Sequence, residues 1–185
     1  MKNFIQSTYT HISRIAILFA LTLLLIQCKK DTPEEINEEE VINRVTLTVT
    51  AADGSSNDYT WNQGNAIPSI TLAANTTSNV SIHFYDASDA SDIEDITEEV
   101  IEEADEHFIF YQVSSAALFI SAASNDVVDG DGTSINQKTQ WAAAEASSGV
   151  VRVYLIHEPT SKAGASRGDL GGSTDVELDF PVSIQ

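Results

Sequence analysis

Val45-Thr46-Leu47-Thr48-Val49-Thr50 decides the fold class. Val45, Leu47 and Val49 alternate with three threonines, the period-two pattern of a half-buried strand. The same period recurs on both sides of a turn at Asp53-Gly54-Ser55-Ser56-Asn57. Tyr59-Thr60-Trp61 begins a second strand that Asn62-Gln63-Gly64-Asn65 ends. Ile67 to Leu72 is a third, which Pro68 places near an edge. Val80, Ile82 and Phe84 share one face of a fourth, with Ser81, His83 and Tyr85 opposite.

From Ser91 to Glu106 the period changes. Ile93, Ile96, Val100, Ala104 and Phe108 recur at three and four, which predicts a helical face. Ser91 and Glu94 have the spacing of a capping box. Glu98/Glu102 and Glu99/Glu103 are like charges at i,i+4, so this helix needs its apolar face docked on a sheet. Strands resume at Phe108–Val113 and Ala117–Ala122, with a turn at Ser114-Ser115. Ile135–Trp141 and Val150–His157 follow, joined around Ser147-Ser148-Gly149. After a polar loop from Glu158 to Ser173, Val176, Leu178, Phe180, Val182 and Ile184 close the chain as an alternating strand, with Pro181 suggesting an edge. Eight or nine short strands with one short acidic amphipathic helix predict a mainly β protein, an Ig-like or Greek-key β-sandwich over residues 41–185.

Upstream the chemistry differs. Met1 to Arg14 carries Lys2 and Arg14 and no acid, and Ile15 to Ile26 is an apolar run unbroken by charge. These 12 residues would rise about 18 Å as a helix, short of a bilayer core of about 30 Å. Residues 1–27 therefore read as a cleaved export signal. The run stops at Cys28, the only cysteine of the 185 residues. From Cys28 to Glu40 there are six acids, two lysines and almost no apolar side chain. That composition predicts a disordered tether with a span of about 20 Å.

Acids outnumber bases 28 to 9. Loss of residues 1–27 removes two bases and no acid, giving 7 − 28 = −21. Such a charge repels nucleic acid and anionic headgroups, so neither is expected as a partner. A lone cysteine forms no intrachain disulfide.

Five constellations invite a chemical reading. Gly164-Ala165-Ser166-Arg167-Gly168 has the spacing of a nucleophile elbow, but no strand–turn–helix surrounds it and no histidine follows it. Catalytic residues are therefore not expected. Asn125, Asp126, Asp129 and Asp131, in a glycine-bent loop, supply the oxygens that calcium takes, although Asp and Gly favour such turns without an ion. The acids from Asp86 to Glu106 form a belt that reads as a solvated face. His83, His107 and His157 are metal-ligand types, but nothing in their spacing forces them together. Trp61, Tyr85, Tyr111, Trp141 and Tyr154 read as packing residues, with a glycan-binding face as the alternative. No cofactor is expected beyond the calcium alternative.

Leu25-Ile26-Gln27-Cys28 resembles a lipobox, with Gln27 where Gly, Ala or Ser is usual. The resemblance implies that Cys28 is acylated and becomes the mature N-terminus, with the fatty chains as the membrane anchor. Lys29-Lys30-Asp31 resembles the surface-export signal of Bacteroidota lipoproteins. Asp95-Ile96-Thr97-Glu98-Glu99 through Ala104-Asp105-Glu106-His107, with the closing strand Asp175 to Gln185, resembles small flavobacterial lipoproteins. Some of those are described as type 1 periplasmic binding fold proteins. This chain lacks the βαβ alternation of that two-lobed architecture. The expectation is a non-catalytic lipoprotein of the outer membrane, periplasmic or surface-exposed. It would bind an unidentified protein or glycan. The alternatives are a purely structural envelope protein and a calcium-dependent binding domain.

Overall fold

The computed structural model describes residues 40–185; the expected signal sequence, Cys28 and the acidic stretch as far as residue 39 lie outside them. Ten strands form two sheets. They are β1 (Arg44–Thr50), β2 (Ser56–Asn62), β3 (Ile70–Leu72), β4 (Thr76–Asp89), β5 (Asp92–Asp95), β6 (His107–Ser114), β7 (Leu118–Ala122), β8 (Lys138–Ala143), β9 (Ser147–His157) and β10 (Ser173–Ile184). One sheet runs β2-β1-β4-β8-β7, with β5 paired to β4; the other runs β3-β10-β9-β6. The expected β-sandwich is present, with one strand more than the upper count.

The alternation in β1 does what it predicts. Val45, Leu47 and Val49 are buried and the intervening threonines are half-buried. Leu47, Ile82, Phe84 and Trp141 on one sheet meet Ile109, Val153, Leu155 and Phe180 on the other in one core. A second, smaller core lies on the opposite side of β9. There Leu170, from the loop after β9, seals Phe108, Tyr154 and Ile156. This loop was expected to be simply polar, and a single leucine docks it.

Three local readings change. The helix, α1, is only Thr97–Glu102. Residues 92–95 instead pair as β5 against the end of β4. Ile93 is exposed, while Ile96, Val100 and Ala104 are buried. Ser91 does not cap a helix: its amide and hydroxyl both donate to Asp89 Oδ1 in a turn. The open flank of β4 beyond Ser81 captures Asp92–Asp95 as a strand, and the helix begins only after it. Second, Ser147-Ser148-Gly149 lies inside β9, paired with Val182 to Ile184, rather than in a turn. Third, β10 is interior to its sheet, not an edge. Even so, β3 pairs only Val182 to Ile184, so at Pro181 that flank has no paired residue and the missing N–H is tolerated. The edge expected from Pro68 is found, since β3 borders its sheet.

Candidate functional site

Two of the three histidines among the described residues are brought together by strand register. His107 opens β6, His157 closes β9, and the two are directly opposite in the antiparallel ladder. Their rings stack with centroids 4.9 Å apart and planes within 10°. His107 is almost fully buried, and His157 is half-buried at the rim.

Carboxylates converge on this pair from several elements. Asp175 falls at the register shift between Thr174 and Val176, where β10 carries one residue more than β9. A bulge of this kind re-aims a side chain, and here Asp175 has a carboxylate oxygen within 4.8 Å of a ring nitrogen of each histidine. Glu40 and Glu103 make the same approach to His107, as do Glu106 and Glu158 to His157. Glu40, expected as the last residue of the tether, is thus half-buried against His107.

Backbone geometry holds the cluster. Glu158 adopts a left-handed φ of 49° immediately after His157. Gly171 and Gly172 follow at φ 68° and 64°, a conformation that favours glycine. A Cβ on Gly172 would lie 2.3 Å from the His157 carbonyl oxygen, so the chain reaches the bulge only because nothing projects there. Arg167 clamps the same segment through the carbonyls of Gly171, Gly172 and Ser173 and the hydroxyl of Thr174.

The protonation of His107 is constrained. Nδ1 lies 3.2 Å from the Glu103 carbonyl oxygen, which can only accept, so Nδ1 carries the hydrogen. Nε2 faces Glu40 Oε1 at 3.3 Å, in reach of a charge contact but short of hydrogen-bond geometry. Glu40 Oε2 is likewise buried without a hydrogen-bond partner. Burial alone would lower the His107 pKa. Glu40, by its contact and its charge, the Glu103 carbonyl and Asp175 outweigh that and raise it. Glu99 is pushed up by burial and by the charges of Glu40, Glu103 and Glu94. The site therefore asks for a cation.

The other sequence candidates fall elsewhere. Asp126 turns its two oxygens to the amides of Asn136 and Lys138. Asp129 takes the amides of Asp131 and Thr133 on one oxygen and Lys162 Nζ, at 2.8 Å, on the other. Asn125 and Asp131 are exposed. Asp126 thus holds the loop to the start of β8, Asp129 closes a local turn, and Lys162 already places a positive charge on Asp129. The Ser166 hydroxyl and amide both donate to Asp169 Oδ2, so the elbow motif is a local turn opening the 3₁₀ helix Arg167–Asp169. His83 sits in the other sheet, stacked on Tyr85. The aromatics are dispersed: Trp141 is in the main core with Tyr111 edge-on to it, and Tyr154 stacks on Phe110 in the smaller core.

Sequence spacing could not join His107 to His157, because the join is a matter of which strands are neighbours. The available signal was modest: each histidine ends an apolar run next to acids, Glu106-His107 and His157-Glu158. No family model matches the chain, and no curated protein or solved structure is similar to it.

Proposed function

We propose that this chain is a lipid-anchored envelope protein of the outer membrane whose sandwich acts as a binding module rather than an enzyme. The observation that carries the reading is Cys28, the sole cysteine, placed where an apolar run meets an acidic stretch. Several acyl chains on one residue hold a protein durably, where a single chain does not. Two features support the reading, one for the anchor and one for binding. The sandwich's β-core needs no disulfide, so the cysteine is spare for acylation. Its ends carry grooves open to solvent, one of them about 580 Å³ between the Asp129–Thr133 and Pro159–Lys162 loops.

Intact-mass measurement of the membrane-extracted protein tests the anchor. The expected product starts at Cys28 and carries the mass of diacylglycerol and fatty acid. Cys28→Ser should leave the protein unprocessed or soluble. A wild-type product with a free Cys28 thiol, or one that begins upstream of it, overturns the reading.

A further inference from the structure

We propose that His107, His157 and the bulged Asp175 form a binding site for one divalent transition-metal ion of the zinc type, with Glu40, which faces His107, swinging in as the fourth ligand. The inference does not rest on acylation of Cys28.

Four observations on different elements point the same way. The ladder sets the two imidazoles opposite each other at the ends of β6 and β9. The bulge in β10 supplies Asp175, whose oxygen and the two ring nitrogens all lie within 4.8 Å of one another. The Nδ1–H of His107 is held by a backbone carbonyl. That second-shell bond fixes the tautomer in metal-bound histidines and leaves Nε2 as the ligand. Finally, Nε2 is buried, makes no well-aligned hydrogen bond among the described residues, and faces a Glu40 carboxylate oxygen across 3.3 Å. A neutral imidazole there sets a lone pair against a negative charge. Only a positive charge between them resolves the conflict, and a metal ion or a proton would supply it.

The donor set selects the ion. Two imidazoles with carboxylates suit zinc and its first-row neighbours, whereas calcium and magnesium take oxygen alone. Ligand atoms around a four-coordinate zinc, bonded at 2.0–2.1 Å, stand about 3.4 Å apart. Separations up to the 4.8 Å limit therefore close by at most about 1.4 Å on binding. The near-parallel rings must also turn towards a common point, and His157, at the rim, is the one with room. Its exposed side, flanked by Glu106 and Glu158, is the way in.

Cobalt(II) is the probe, because an ordered site colours it while a diffuse acidic surface does not. The full chain, purified in detergent and stripped of metal, is titrated with Co²⁺ in the presence of millimolar calcium and magnesium. The expected result is one ion per chain with the visible absorption of a four-coordinate centre, displaced by one equivalent of Zn²⁺. His157→Gln and Asp175→Asn should each weaken binding by more than the 10–100-fold that loss of an outer-shell partner costs, while their metal-free circular dichroism stays that of the wild type. His83→Gln should bind as the wild type does. Absence of the visible bands overturns the proposal and leaves the proton as the occupant of Nε2. Equal binding by His157→Gln also overturns it and assigns the metal to the acidic surface.

Discussion

At the scale of single residues, His107 carries the clearest pH signature. The groups that face it are Glu40 from the N-terminal side, the Glu103 carbonyl at the end of α1, His157 on β9 and Asp175 on β10. Its folded pKa lies above the ordinary 6.5, so the folded state prefers the protonated ring. Its contribution to stability is whole below pH 6.5 and disappears as the pH rises through the raised value. The melting temperature of metal-free protein should fall across that window, and His107→Gln should flatten the fall. Saturating zinc should reverse the slope, since a metal competes with the proton for Nε2. A thermal melt series from pH 5.5 to 8.5, with chelator and with zinc, reads both effects. Half of this site was legible in advance. The period of two in β9 puts His157 on the face of Val151, Val153 and Leu155. The bulge that re-aims Asp175 was not legible, because one extra residue before Val176 leaves the downstream alternation intact.

Among the elements, β4 is the one whose hydrogen bonding is least ordinary. Its 14 residues are too many for either neighbour on one flank: β8 pairs Thr76 to Ser81, and β5 pairs Tyr85 to Asp89. Two polar side chains fill the gap. Gln137 Nε2 donates to the Ile82 carbonyl at 2.9 Å, and the Gln137 carbonyl accepts the Ile82 amide at 3.1 Å. Thr97 Oγ1 accepts the Phe84 amide at 2.9 Å and donates to its carbonyl at 3.2 Å. Thr97→Val keeps the shape and leaves both Phe84 groups buried and unpaired, at a cost of about 1–3 kcal/mol. Urea denaturation of the variant against wild type measures it; a change within error would mean water serves the gap equally well. Here the sequence misleads for a physical reason. Ile96, Val100 and Ala104 do form a helical face, but extending it back to Ile93 ignores the open flank of β4, which captures Asp92–Asp95 as a strand. The alternating strands were easier to read, because burial on one face leaves its mark residue by residue. Which strands pair leaves no such mark.

For the molecule as a whole, charge sets the response to its surroundings. A formal charge of −19 on 185 residues opposes compaction at every pH where the carboxylates are ionised. Raising salt from 0.01 M to 1 M shortens the screening length from about 30 Å to about 3 Å. The melting temperature should therefore rise by several degrees between those limits at pH 7.5 with chelator present. A flat or falling curve would show that the acids are compensated locally. The two-sheet plan itself was legible from composition and period, since short alternating strands with one apolar face bury it by packing two sheets together.

The position of β1 has a mechanical consequence. The strand lies between β2 and β4 and is paired along its whole length on both sides. Tension arriving from the N-terminal side acts along the axis of β1, so both ladders must shear at once instead of unzipping bond by bond. Glu40 lies ahead of that strand, half-buried in its contact with His107. A pull from that side would reach Glu40 and the histidine cluster before it reached the ladders of β1.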